Sequence, residues 1–336
     1  MSVTGLSRDL SAIADRLASG GRGILAADES VATMTKRLEG ESIPASETSR
    51  RDYRQMLLEA PDLSASVSGV IWCDETFGQQ LSDGRNFPDV AHDLGILPGI
   101  KVDTGTVPLP DADGALVTEG LDGLGDRLSS YAARGAAFAK WRAVFDEATL
   151  TDHVARVNAQ ALAGYAALCQ QHGIVPIVEA EVLATGDQDL VACAEATRLV
   201  QNAVFEELEQ AGVDLDAIVL KPNFVTPGLD CRDVSAQTVA TVTYDVLRDT
   251  VPSPDLAIAF LSGGHPTANA CDFLDALNAT EAAPWSMTFS FGRALVSDAL
   301  AQWGGSPANV ESAQRILIAN CERAAAATRA PASAQR

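Results

Sequence analysis

The sequence predicts an α/β protein folded as a single (β/α)8 TIM barrel, and three observations lead there. Eight short apolar runs alternate with segments of helical period across about 280 residues. The runs are apolar at consecutive positions, the pattern of parallel strands buried on both faces. Polar and charged residues recur where the runs end, the place a barrel gives to function.

In chain order, residues 6–17 have helical apolar spacing and stop at Ser19-Gly20-Gly21. Gly23-Ile-Leu-Ala-Ala-Asp28 is the first strand. Helical stretches follow at 34–38 and 46–60, with Glu47 and Thr48 near the start of the second. The second strand, 67–73, runs into Asp74-Glu75-Thr76, and the third, 97–102, contains Lys101. Residues 104–120 are rich in Gly, Pro and Asp, with Asp113-Gly114 as a hairpin turn.

Helix 124–134 then leads to strand 138–144, helix 152–171 to strand 174–182, and helix 187–211 to strand 217–225. Helix 236–249 leads to strand 256–261, and helix 267–278 to strand 285–291. Two helices, 293–303 and 307–327, precede a short flexible tail, 328–336. The expectation is one domain over 1–336, its barrel strands within 23–291 and its C-terminal helices within 293–327. A doubly wound open sheet is the competing arrangement. It usually shows Gly-x-Gly-x-x-Gly after its first strand, whereas Gly20-Gly-Arg-Gly23 lies before it.

A chain of 336 residues with 47% hydrophobic content can bury a large core. It has no apolar run of about 18 residues, and its first ten residues lack a basic start followed by an apolar stretch. The formal charge of −21 argues against nucleic-acid and anionic-membrane surfaces, but not against a small anionic substrate met by a local basic cluster. Six scattered cysteines without a Cys-x-x-Cys pair read as reduced core thiols of a cytoplasmic protein. The four histidines are too far apart to suggest a metal site. No metal and no cofactor are expected.

The strand ends carry Asp28 with Glu29, Glu75, Lys101 with Asp103, Lys140 with Arg142, Glu179 with Glu181, Lys221 with Asn223, Ser262-Gly263-Gly264, and Ser290 with Arg293. The i, i+2 spacing of four of these pairs puts both members on one strand face. Taken singly, each has a plainer explanation. Asp28 and Glu29 could cap a helix, Ser262-Gly-Gly264 could be a turn, and Lys221 could extend its head to water. Glu75 and Asp103 read as supporting or surface carboxylates. What raises Lys221 is scarcity: the chain has four lysines (Lys36, Lys101, Lys140, Lys221) against twenty arginines. Lysine, unlike arginine, can form an imine with a carbonyl.

At these residues the sequence resembles the class I, Schiff-base-forming fructose-1,6-bisphosphate aldolases. The segments are Gly21-Arg-Gly-Ile-Leu-Ala-Ala-Asp-Glu-Ser30, Phe138-Ala-Lys-Trp-Arg142, Ile177-Val-Glu179, Leu220-Lys-Pro-Asn223 with Val225-Thr-Pro-Gly228, Phe260-Leu-Ser-Gly-Gly264 and Thr288-Phe-Ser-Phe-Gly-Arg-Ala-Leu295. They stand in the family's order and span nearly the whole chain. The resemblance implies reversible cleavage of D-fructose 1,6-bisphosphate to dihydroxyacetone phosphate and D-glyceraldehyde 3-phosphate, in glycolysis and gluconeogenesis. It implies Lys221 as the imine lysine, Glu179 as the proton carrier in imine formation, Asp28 as the base at the C4 hydroxyl, and Lys140 beside the imine. Arg37, Ser262, Gly263, Gly264, Ser290, Gly292 and Arg293 match residues around the 1-phosphate. Lys36, Lys101 and Arg142 match further basic residues, the last two toward the 6-phosphate. A cytoplasmic homotetramer is the family's usual assembly.

The chemistry is consistent with these roles. Cleaving C3–C4 leaves charge on C3, which a protonated imine at C2 accepts as an enamine. Imine formation needs an uncharged amine, whereas a lysine ordinarily titrates near ~10.4; burial and a neighbouring cation such as Lys140 are expected to supply the difference. Dehydration needs an acid, a role that fits Glu179 if its pKa is raised. Sedoheptulose 1,7-bisphosphate or fructose 1-phosphate could be turned over by the same chemistry. A non-catalytic barrel that binds or scaffolds and a metal-dependent aldolase are alternatives of other classes.

Two departures stand out. Vertebrate members end in a tyrosine that assists proton exchange at C3; here the last tyrosine is Tyr244 and the sequence ends Pro331-Ala-Ser-Ala-Gln-Arg336. The group for that step is unassigned and the exchange is expected to be slow. Threonine stands at 104 where those relatives carry lysine, and His265-Pro266 follows Gly264.

Overall fold

Eight parallel strands close into a barrel in the computed structural model, which describes residues 9–231, 234–280 and 283–329. The strands are β1 (Gly23–Ala27), β2 (Val67–Trp72), β3 (Leu97–Lys101), β6 (Phe138–Phe145), β7 (Val175–Val182), β8 (Val219–Pro222), β9 (Ala257–Phe260) and β10 (Met287–Phe291), neighbours in that order, with β10 returning to β1. Between β3 and β6 an antiparallel hairpin, β4 (Gly105–Pro108) and β5 (Leu116–Glu119), stands outside the barrel, around the turn expected at Asp113-Gly114.

The helices are α1 (Leu10–Ala18), α2 (Val31–Gly40), α3 (Glu47–Leu58), α4 (Asp74–Gly78), α5 (Phe87–Asp93), α6 (Leu124–Ala133), α7 (Asp152–Gln171), α8 (Leu190–Gln210), α9 (Ala236–Thr250), α10 (Thr267–Asn278), α11 (Arg293–Trp303) and α12 (Val310–Ala326). Local chemistry fixes several starts. Asp9, Ser30, Thr151, Asp189 and Ser235 each accept a bond from a first-turn amide, relieving a donor the helix cannot satisfy itself. Asp189 is why α8 begins three residues later than the apolar pattern suggests.

The short helices α4 and α5 have no counterpart in the apolar pattern. Glu75 therefore lies in the first turn of α4, not at a strand end. β8 is shorter than the apolar run 217–225, because Leu215–Ala217 forms a 3-10 turn and the chain leaves the sheet after Pro222. The expected start of the first helix at residue 6, and 330–336 of the expected tail, lie outside the described residues.

The amino-terminal half of the barrel is filled by apolar side chains. Ile24, Ala26, Ile71, Phe138, Val175, Ile177, Val219, Ala257 and Ala259 form one cluster with Ala14, Leu17 and Ala18 of α1. α1 thereby packs across the lower end of the barrel, and the buried Ser68 hydroxyl donates to the Leu17 carbonyl at 2.7 Å. Phe138 needs glycine opposite it, since a Cβ at Gly99 would sit 2.3 Å from its ring. A second, larger cluster lies between the strands and the helical layer, as in other two-layer α/β barrels.

Candidate active site

Above the apolar plug the inward positions become charged. Register decides which residues meet: Lys101 pairs with Lys140 across β3 and β6, Arg142 with Glu179 across β6 and β7, and Glu179 with Lys221 across β7 and β8. Together with Asp28, just past β1, they line a cavity of about 580 Å³ at the carboxyl ends of the strands.

The centre is a chain of alternating charge. Lys221 Nζ lies 3.0 Å from Glu179 Oε1. Lys140 Nζ lies 3.1 Å from Glu179 Oε2 and 2.7 Å from Asp28 Oδ2. The Lys140–Oε2 approach is an ion pair off the hydrogen-bonding direction, so that oxygen retains a free acceptor position among the described residues. Lys140, Glu179 and Lys221 are each only 4% exposed. Charges this deep persist when each has an opposite charge at contact distance.

Burial pushes the Asp28 carboxyl up, but Lys140, Lys221 and Lys101 together outweigh it and bring it to about 2. Burial likewise pushes Glu179 up, and Lys140, Lys221 and Arg142 together hold it below the ordinary carboxyl range. Burial lowers Lys140, but Asp28, Glu179 and Asp103 drive it far above an ordinary lysine. The condition set on Glu179 as the dehydrating acid, a raised pKa, is thus not met in the resting site. Lys140 and Lys221 flank Glu179, so in the resting site it is a carboxylate positioned to accept a proton.

The cavity has two unlike ends. At one, Ser262-Gly263-Gly264 turns out of β9 with φ of +58° and +89° at the glycines, a backbone that a side chain would strain. Arg293 opens α11 beside Gly264, after Gly292, and has no acidic partner among the described residues. The Ser290 hydroxyl is buried without a protein partner among them. Unpaired donors and an unpaired cation suit a dianion. Arg37, on α2, lines this cavity too, in contact with Glu29.

At the other end each cation is already paired. Lys101 Nζ is 2.5 Å from Asp103 Oδ1, and Arg142 Nε is 2.6 Å from Glu181 Oε2. Thr104, Gly105 and Thr106 complete that wall.

The candidate residues line this one cavity except Lys36, which is exposed on α2 away from it, and Asn223, which lies past the end of β8 and is buried with its Oδ1 accepting the Val182 amide at 3.0 Å. Asp103, read as a supporting or surface carboxylate, is 8% exposed, lines the cavity and accepts the Arg142 amide at 3.2 Å. Its position two residues after Lys101 is the signal the sequence offers. Glu75 holds Arg50 through two bonds of 2.7 and 2.6 Å, apart from the cavity. Among the described residues no group of His, Cys, Asp or Glu is arranged to hold a metal ion, and no helix is long and apolar enough to cross a membrane.

Comparison with known proteins gives a consistent answer. A family model described as fructose-bisphosphate aldolase class-I matches residues 9–335. The cytosolic fructose-bisphosphate aldolase 6 of Arabidopsis thaliana is 43% identical over 326 residues, covering 95% of this chain and 90% of its own. A non-muscle-type fructose-bisphosphate aldolase of Lethenteron camtschaticum is 44% identical over 313 residues, covering 92% of this chain and 86% of its own. The fructose-bisphosphate aldolase of Plasmodium falciparum, solved as a ternary complex with TRAP and a small-molecule inhibitor, superposes with a TM-score of 0.92 at 40% identity, covering 95% of this chain and 93% of its own. The chain belongs to the class I fructose-bisphosphate aldolase family.

Proposed function

We propose that this cavity cleaves D-fructose 1,6-bisphosphate reversibly through an imine on Lys221. The observation that carries the reading is the chain Lys221–Glu179–Lys140–Asp28, closed at 3.0, 3.1 and 2.7 Å inside a barrel mouth. Glu179 accepts the Lys221 proton, and the free amine attacks substrate C2. Glu179 returns a proton as the carbinolamine loses water. Asp28, held ionised, takes the C4 hydroxyl proton while the C3–C4 bond breaks. The bond's electrons move into the iminium as an enamine, and the aldehyde leaves. Protonation at C3 and hydrolysis of the imine release dihydroxyacetone phosphate and restore Lys221. Lys140 stays cationic throughout and holds both carboxylates in place.

In this reading Ser262, Gly263, Gly264, Ser290, Gly292, Arg293 and Arg37 hold the 1-phosphate, and Lys101 and Arg142 face the 6-phosphate. Pairing of the distal cations by Asp103 and Glu181 supports a second substrate, fructose 1-phosphate, whose distal end carries no charge. Sedoheptulose 1,7-bisphosphate is the remaining candidate of the same chemistry. We assign the enzyme to the cytoplasm, as the Arabidopsis thaliana relative is named cytosolic, and to a homotetramer, testable by light scattering. Borohydride reduction with dihydroxyacetone phosphate should fix the adduct on Lys221, located by peptide mass spectrometry. A label elsewhere, or no label, would sink the mechanism.

A further inference from the structure

Beside the cavity, three buried polar atoms sit close to the same charges yet have no protein hydrogen-bond partner among the described residues: Glu29 Oε2, Arg54 Nη1 and the Tyr53 hydroxyl. Glu29 is placed between two arginines. Its Oε1 holds Arg37, which lines the cavity and is 17% exposed. Its Oε2 lies 3.7 Å from Nη2 of Arg54, which is fully buried. That gap is an ion pair but not a hydrogen bond. Arg54 is anchored from behind, donating from Nε to the Ala27 carbonyl at 3.1 Å and from Nη2 to the Glu29 carbonyl at 2.7 Å, the two carbonyls that flank Asp28. A second buried cation with a free donor thus waits beside a carboxylate with a free acceptor.

We propose that Glu29 exchanges arginines when the cavity takes a phosphate. This rests on the reading of Arg37 as a phosphate ligand. With no anion bound, Glu29 neutralises Arg37. On binding, Arg37 turns to the phosphate, and the released carboxylate closes onto Arg54 Nη1, with the Tyr53 hydroxyl as a further donor. Without Arg54 that carboxylate would be left charged and uncompensated in a mostly buried position, which would weaken phosphate binding. Arg54 is then a positioning residue: it touches no substrate but sets how readily Arg37 is released.

The test is calorimetric titration of inorganic phosphate into the full-length protein. Arg54→Gln should weaken binding about tenfold, an ordinary coupling between linked sites. Adding Glu29→Gln to that variant should restore affinity to within about threefold of wild type, because no charge is stranded in the exchange. If the double variant stays as weak as Arg54→Gln, Arg54 only props the Ala27 and Glu29 carbonyls and the exchange is overturned. A wild-type protein that binds no phosphate overturns the phosphate reading and this inference with it. Should Arg54→Gln not fold, a crystal structure of the wild type with phosphate decides. The Glu29 carboxylate within hydrogen-bond distance of Arg54 Nη1 supports the exchange; Arg37 still on that carboxylate refutes it.

Discussion

The two halves of the barrel interior are built from alternate residues of the same strands, yet their energetics are opposite. Below, Phe138, Val175, Ile177 and Val219 exclude water and need only volume and shape complementarity. Two residues further along the same strands stand Lys140, Glu179 and Lys221, each buried and each tolerable only because of the next. Stability is therefore concentrated below, and chemistry above. Substitutions in the two layers should separate along that line.

The widest separation is predicted for Lys221→Met. It should lower kcat more than about a thousandfold and abolish borohydride trapping, since the neighbouring amine, Lys140, is held cationic by Asp28 and Glu179 and does not replace it as nucleophile. Stability should move by no more than about 2 kcal/mol, because Glu179 keeps the Lys140 ammonium at 3.1 Å as its counter-charge and is not left unpaired. Denaturation curves and turnover on the same preparation check both halves. Phe138→Ala is the converse. Removing a ring that fills the space opposite Gly99 should cost about 3–5 kcal/mol in urea unfolding. Trapping on Lys221 per folded molecule should persist, and its loss would show that the layers are not separable.

The same contrast governs what can be read from the sequence. Strands buried on both faces leave continuous apolar runs, so the eight-strand barrel is visible without any site residue. The upper layer is visible because i, i+2 spacing fixes which side chains share a strand face. Helices α4 and α5 escape because five and seven residues are too few for a helical period to emerge. Arg54 escapes for a different reason. It lies in the polar run Glu47-Thr-Ser-Arg-Arg-Asp-Tyr-Arg54, which reads as a solvated face, and only the fold shows that it is fully buried. The ionisation of Glu179 escapes because it depends on two lysines from other strands acting at once.

A smaller effect is predicted for Asp28→Asn, and its sign follows from the shift. A carboxyl lowered from 3.8 to about 2 adds stability that is complete above its unfolded value and is lost as pH falls through the folded one. About 2 kcal/mol should therefore disappear between pH ~4 and ~2 in the wild type. The Asp28→Asn variant should be less stable by a similar amount at pH 7 and flatter across that window. Lys140 acts at the other limit: raised, it contributes below its unfolded value and loses that contribution only in strong alkali. Equal acid sensitivity in the two proteins would mean that Asp28 is not the group titrating.

The smallest effect belongs to the rim of the charged layer, where Glu181 holds Arg142. The Arg142 side chain is 40% exposed, so this pair is screened by water and Glu181→Gln should change stability by less than about 1 kcal/mol. Kinetically the substitution should still be visible. Freed of its carboxylate, Arg142 can meet a distal phosphate, and the preference for fructose 1,6-bisphosphate over fructose 1-phosphate in kcat/KM should rise about two- to fivefold, the scale of one solvent-screened charge contact. Arg293→Gln, at the unpaired end, should depress both substrates alike because both carry the 1-phosphate. If Glu181→Gln instead changed both substrates in parallel, the pairing of the distal cations would have no part in selecting substrates. The two ends of the cavity would then differ in charge but not in task.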